Sequence, residues 1–262
     1  MEDTLVKMKW YHTLWAALIF FTRLPFWRIY QPPQAAYRAV VEFWPLTGWL
    51  TGGAMAATLY FGSMVLPHAV AVAAAIIVRL LITGALHEDG LADFLDGFGG
   101  GGDRFRILAI MKDSHIGTYG VLGLILYMLL LGATLYSMPV AVAALIILAA
   151  DPFSKMVTSQ LVSMLPYARR QEEAKNKTVY RKPTLAAGLL MSLQGLLPMV
   201  LMIWLTGINW YLIVCMPVVV MYFLYLLIHR KIQGYTGDCC GAVCLLVELT
   251  VYLVACSEYL AR

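Results

Sequence analysis

Residues His87 to Tyr119 read HEDGLADFLDGFGGGGDRFRILAIMKDSHIGTY, and they hold six of the fifteen acidic residues of the chain: Glu88, Asp89, Asp93, Asp96, Asp103 and Asp113. Asp89, Asp93 and Asp96 fall at i, i+4 and i+7, so a helix through this stretch carries all three on one face, with Glu88 on its shoulder. Like charges at that spacing destabilise a helix unless something positive sits among them. A hard divalent cation such as Mg²⁺, which takes oxygen ligands and shares them with phosphates, meets that need better than a lone lysine. The plainer reading is a solvated acidic face at a helix end.

What lies outward on both sides decides the fold. Of the 262 residues, 61% are hydrophobic and only 13% charged, and the mean hydropathy is +0.75. A soluble domain carries about twice that share of charge. This predicts an all-α, polytopic membrane helix bundle in a single integral-membrane unit spanning residues 1–262. Apolar runs at about 45–66, 69–86, 117–136, 138–160, 185–207, 210–228 and 241–260 are each long enough for a hydrocarbon core of ~30 Å, which makes seven predicted spans. Upstream, the apolar run from Trp15 to Phe26 is broken by Thr22-Arg23 and Pro25 and predicts an interfacial or re-entrant helix, with a short first span as the alternative. No removable signal peptide is expected, since no short apolar stretch with a small-residue cleavage site opens the chain. There is no soluble domain, linker or internal repeat.

The predicted connections fall into two sets. Those near Pro67, Pro139 and Ile208 are short and uncharged, whereas those at 87–116, 161–184 and 229–240 are long and rich in charge. Alternation places the long ones on one side with the N-terminus. All nineteen Lys and Arg except Arg79, Lys155 and Arg262 lie there, Lys7, Lys175 and Lys177 among them. By the positive-inside rule that side is cytoplasmic. The five cysteines form no CxxC pair and read as reduced and functionally quiet.

Ionisable residues within predicted spans usually mark a site, because charge in hydrocarbon is costly. Arg79, Asp151, Lys155 and Glu248 qualify. Asp151 and Lys155 share a face and are expected to pair, and Arg79, two turns before Glu88, is expected to point toward the acidic cluster. Gly48, Gly52, Gly53, Gly117, Gly120 and Gly123 read as close-packing positions.

After the acidic helix, Gly99 to Gly102 can turn backbone N–H groups toward an anion, and Arg104 and Arg106 can clamp phosphate oxygens. Alternatively Gly97 caps the helix, the glycine run is a hinge and Asp103 caps the next helix. Carboxylates, a glycine run and arginines within twenty residues are the parts of a phosphoryl-transfer site. The loops at 165–170 and 229–238 add Arg169, Arg170 and Arg230, with a Thr236-Gly237-Asp238 turn whose carboxylate can join a metal.

Taken together, Glu88-Asp89-Gly90-Leu91-Ala92-Asp93-Phe94-Leu95-Asp96-Gly97, Met111-Lys112-Asp113-Ser114 and Gly117-Thr118-Tyr119-Gly120 resemble the signature of the cobalamin synthases, the adenosylcobinamide-GDP ribazoletransferases. Phe21-Thr22-Arg23-Leu24-Pro25, Leu165-Pro166-Tyr167-Ala168-Arg169 and Thr236-Gly237-Asp238 resemble that family's opening, middle and last loops. The family usually has a Leu-Gly pair where this chain has Cys239-Cys240-Gly241. The resemblance implies a Mg²⁺-dependent transferase of the bacterial inner membrane, its active site facing the cytoplasm. Its substrates would be GDP-activated cobinamide and α-ribazole or its 5′-phosphate, with GMP leaving. It implies Glu88, Asp89, Asp93 and Asp96 as metal-binding and catalytic residues. Arg23, Arg104, Arg106, Lys112, Asp113, Arg169, Arg230, Thr236 and Asp238 would bind substrate. It implies no nucleic-acid partner and leaves homo-oligomers, or association with other corrinoid enzymes, open.

Rival readings come from the same aspartates. Asp89-x-x-x-Asp93 and Asp93-x-x-Asp96-Gly97 echo membrane prenyltransferases and CDP-alcohol phosphotransferases. The first expects a second Asp-rich motif, where the last loop offers only Asp238, and the second expects Gly and Asp spacings not met after Gly97. A cation transporter would place its carboxylates near the bilayer midplane at a repeat interface.

Overall fold

A computed structural model describes residues 8–169 and 179–260. Lys7, Arg170, Lys175, Lys177 and Arg262, all used in the charge count above, lie outside the described residues. The described chain is helical throughout: α1 (Trp10–Phe21), α2 (Trp44–Gly62), α3 (His68–Thr83), α4 (Leu86–Gly100), α5 (Arg104–Ile110), α6 (Thr118–Tyr136), α7 (Val140–Met164), α8 (Leu185–Thr206), α9 (Trp210–Ile232) and α10 (Gly237–Leu260). Two short 3₁₀ segments, Phe26–Arg28 and Gln34–Phe43, join α1 to α2.

Five helices, α6 to α10, are long and apolar enough to cross a membrane, and α3 with α4 makes a sixth if that bent pair counts as one span. This multi-pass bundle is the expected class, but length and composition do not reach seven spans. The difference lies at the front of the chain. α2 has the length but dilutes its apolar residues with Thr47, Thr51, Thr58 and four glycines, and α3 has only 16 residues. α1, at 12 residues, is about 18 Å long and too short to span.

α10 is the buried centre, with α7 beside it, while α6 and α9 turn large apolar side chains outward. α2 lies against α7 with no room for side chains between them. A Cβ on Gly48 would sit 2.7 Å from the Pro152 nitrogen, and one on Gly52 would sit 2.9 Å from the Asp151 Cβ. Asp151 and Lys155 pair as expected, and Thr51 Oγ1 donates to Asp151 at 2.6 Å.

The chain turns 89° between α3 and α4. Gly84 and Ala85 both take the left-handed conformation, with φ of 64° and 54°. Glycine is needed at 84 twice over. Its φ is unfavourable for other residues, and a Cβ there would lie 2.4 Å from the Arg23 Nε. The Arg23 N–H donates to the Ile82 carbonyl at 2.6 Å, tying the loop after α1 to this corner. The acidic helix therefore runs across the bundle instead of prolonging α3.

Candidate active site

α4 crosses α10 where both are stripped to glycine. A Cβ on Gly90 would come within 3.0 Å of the Asp238 carbonyl oxygen, and one on Gly241 within 3.1 Å of the His87 carbonyl oxygen. That approach brings the first turn of α4 against the start of α10, where the Thr236 Oγ1 accepts from the Cys239 N–H at 3.2 Å. Three loops close over the crossing. The Ala168 N–H donates to the Tyr235 carbonyl at 2.8 Å and the Tyr235 N–H to the Pro166 carbonyl at 2.9 Å. Arg104 donates to the Ala168 carbonyl at 3.0 Å and Arg169 to the Leu108 carbonyl at 3.2 Å.

Between these elements lies a cavity of about 150 Å³. Asp89, Asp238 and Arg169 form its polar side, with Gly237 and Gly241. Phe20, Phe21, Trp44, Leu86, His87, Tyr167 and Tyr180 form its apolar side. Arg169 stands 3.9 Å from an Asp238 carboxylate oxygen, and its buried Nε has no hydrogen-bond partner among the described residues. Burial pushes the phenols of Tyr167 and Tyr180 up, so they serve as neutral walls, not as anions.

The four acidic residues of α4 do not converge. Asp89 is exposed at the cavity and Asp93, one turn on, is half-buried. Asp96 is buried and accepts from the Gly117 N–H at 2.7 Å and the Gly120 N–H at 2.8 Å, holding the start of α6. Those glycines, expected to serve packing, leave room for that carboxylate: a Cβ on either would lie 2.5 Å from it. Glu88 points into the bundle, 3.6 Å from Arg79. Arg79 in turn donates to both oxygens of Glu248 at 2.8 and 2.9 Å and to the Tyr127 hydroxyl at 2.8 Å, and the Tyr252 hydroxyl donates to Glu248 at 2.5 Å. The expected aim of Arg79 toward the acidic cluster is correct, but Glu248 is its main partner.

Among the described residues, no three His, Cys, Asp or Glu side chains are placed to hold one metal ion by themselves. Mg²⁺ seldom needs such a cage, since it is usually bound by one or two carboxylates, with phosphate oxygens and water completing the shell. Asp89 and Asp238, which both line the cavity, are donors of that kind beside Arg169, with Asp93 one turn along α4 from Asp89.

Other expected residues fall around this centre. Half of the glycine run is helix: α4 continues through Gly97 to Gly100, Gly101 and Gly102 make the link to α5, and Gly97 is packed against Met111 rather than capping. Asp103 does cap α5, accepting from the Arg106 N–H at 3.0 Å. Arg104, Lys112 and Arg169 line a shallow groove next to the cavity, while Arg106 is exposed. Asp113 is exposed and bonded to His115. Arg23 lines a separate groove with Trp27, Gln34 and Tyr37. Arg230 is exposed in the last turn of α9. Trp44 and His87 at the cavity were not foreseen as site residues. Their signal, aromatic rings far apart in sequence, becomes readable only once α1, α2 and α4 are packed together.

A family model described as Cobalamin-5-phosphate synthase matches residues 13–256. A protein of Shewanella woodyi named adenosylcobinamide-GDP ribazoletransferase is 35% identical over 91% of this chain and 93% of its own length. Proteins of the same name from Leptothrix cholodnii and Pseudoalteromonas atlantica are 37% and 38% identical, over 90% and 91% of this chain and 92% and 88% of their own lengths. No solved structure matches. With a match that runs from α1 to near the end of α10, the chain belongs to the cobalamin-5-phosphate synthase family.

Proposed function

We propose that this chain is a Mg²⁺-dependent transferase of the bacterial inner membrane that joins adenosylcobinamide-GDP to α-ribazole, or to its 5′-phosphate, and releases GMP. Family membership supports the coarser activity, a cobalamin synthase completing the nucleotide loop. The observation that carries the finer reading is the cavity at the α4–α10 crossing. It sets two carboxylates and an arginine opposite a wall of aromatic rings. A diphosphate and a ring-bearing riboside need those two surfaces. The side that gathers Arg104, Lys112, Arg169 and Arg230 is assigned to the cytoplasm by the positive-inside rule.

In the reaction the ribazole hydroxyl oxygen bonds to the phosphorus nearest the cobinamide arm, and the bond from that phosphorus to the oxygen bridging to GMP breaks. The hydroxyl proton passes to a cavity carboxylate, Asp89 or Asp238. Arg169 fixes phosphate oxygens by charge-assisted hydrogen bonds, and the Tyr167 and Tyr180 walls keep bulk water from competing with the hydroxyl. Bound through Asp89, Asp93 and Asp238, Mg²⁺ would neutralise charge on the diphosphate and the departing GMP. Glu88 and Asp96 are assigned to positioning α4.

The purified protein, given GDP-cobinamide, α-ribazole and Mg²⁺, should release GMP in step with corrinoid product, and should release nothing from CDP-diacylglycerol or a prenyl diphosphate. Release from either lipid donor at a comparable rate would overturn the proposal.

A further inference from the structure

The apolar side of the cavity has chemistry of its own. Phe21, Trp44 and His87, from α1, α2 and α4, hold their rings in near-parallel planes: Phe21–Trp44 at 5.2 Å and 9°, Trp44–His87 at 5.9 Å and 7°, Phe21–His87 at 6.4 Å and 7°. Trp44 is 2% exposed and His87 5%. Both line the cavity, and each buries a ring nitrogen, Trp44 Nε1 and His87 Nε2, that has no hydrogen-bond partner among the described residues. An indole N–H can only donate. Leaving it dry and unpaired is costly, and two such nitrogens in one wall mark a place where a partner is expected.

Resting on the function proposed above, we infer that this wall is the binding subsite for the benzimidazole ring of the riboside acceptor, with Trp44 and His87 as its specificity-determining residues. Size comes first: a cavity of about 150 Å³ accepts one small aromatic system, as an engineered apolar cavity of that volume accepts benzene. A corrin ring is far too large. Edge chemistry decides between the two remaining rings. Guanine presents several donors and acceptors around its rim, and against Phe20, Phe21, Leu86 and Tyr180 they would go unpaired, while Asp89, Asp238 and Arg169 across the cavity are assigned to the diphosphate. Benzimidazole, joined to ribose through one nitrogen, presents a single acceptor, its second nitrogen, on an otherwise apolar bicycle. Trp44 Nε1–H supplies the one donor it needs. His87 completes the parallel wall. The ribose then leaves the ring toward the polar side of the cavity, Asp89, Asp238 and Arg169.

Trp44→Phe keeps the ring wall and removes the donor. It should raise KM for α-ribazole about tenfold, the worth of one neutral hydrogen bond, and leave KM for GDP-cobinamide at the wild-type value. The indole riboside lacks the acceptor nitrogen, so the wild-type enzyme should use it about tenfold less well than α-ribazole, and Trp44→Phe should use the two alike. The wild-type arm holds even if the variant fails to fold. The subsite is wrong if wild-type enzyme accepts both ribosides equally, or if Trp44→Phe raises KM for GDP-cobinamide instead. No GMP release by wild-type protein from the natural pair would overturn the transferase reading itself.

Discussion

Asp89 and Glu88 are neighbours in the sequence, yet they belong to regions with opposite physics. Asp89 is exposed at an open cavity, beside Asp238 and Arg169. Glu88 faces inward, to a buried set in which Arg79, Glu248, Tyr127 and Tyr252 satisfy one another across α3, α6 and α10. In the first region the exposed Asp89 costs little to hold, while the buried side chains of Arg169 and Asp238 stand 3.9 Å apart at its edge. Charges in the second exist only as partners, and losing one strands the others in a medium that cannot solvate them. One acidic helix thus carries an open side, to which the proposed chemistry is assigned, and a structural side, and mutation should separate them.

The largest expected effect on stability is in the buried set. Arg79→Leu leaves Glu248 and Glu88 without their cation and should cost about 3–5 kcal/mol, read as a drop in the unfolding midpoint in detergent. The double variant Arg79→Leu/Glu248→Leu should recover part of that loss. If the single variant is as stable as wild type, the buried region is not held by its charges.

In the open region the order reverses. Asp89→Asn should lower kcat by about 10²–10⁴ while the unfolding midpoint stays near wild type. Asp238→Asn should lose activity likewise. A midpoint that falls together with activity would erase the contrast.

Asp96 sharpens the boundary between the regions. Its two N–H bonds hold the start of α6, so Asp96→Asn, which keeps one acceptor and turns an amide N–H toward a backbone donor, should destabilise by about 1–3 kcal/mol. Its Mg²⁺ dependence of turnover should match wild type. A shifted Mg²⁺ requirement would return Asp96 to the metal-binding set.

The smallest effect should be at Asp113. Hydrogen bonds from His115 hold its carboxyl below the usual carboxylate range, so whatever this pair adds is present above that range and lost as pH falls through the depressed value. The site is fully exposed, and Asp113→Asn should leave stability above pH 5 and GMP release unchanged within error.

The helical class, the charged face and the residues of the three loops were legible because each is local: apolar run length, loop charge and short motifs do not depend on packing. The Asp151–Lys155 pair was legible for the same reason, being one helical turn apart. What escaped needed the third dimension. The spacing of Asp89, Asp93 and Asp96 puts them on one face, but that face runs from an open cavity to the start of α6, so three equivalent positions acquire three environments. Glu248, 160 residues from Glu88, could not be joined to it by pattern. The glycine run read as a loop because glycine weakens a helix by ~1 kcal/mol. Tertiary contact with Met111 and Tyr119 overrides that preference at Gly97 and Gly99. The aromatic wall of Phe21, Trp44 and His87 is likewise invisible until the 89° turn at Gly84 lays α4 across the bundle.

Which α4 carboxylates meet the reacting phosphates is tested most directly by a Mg²⁺ titration of GMP release. Wild type, Asp89→Asn and Asp96→Asn would be compared with GDP-cobinamide and α-ribazole at matched amounts of folded protein. Asp89→Asn should stay inactive at every Mg²⁺ concentration, and Asp96→Asn should follow the wild-type curve at reduced amplitude. An Asp89→Asn curve that overlays wild type would contradict the account.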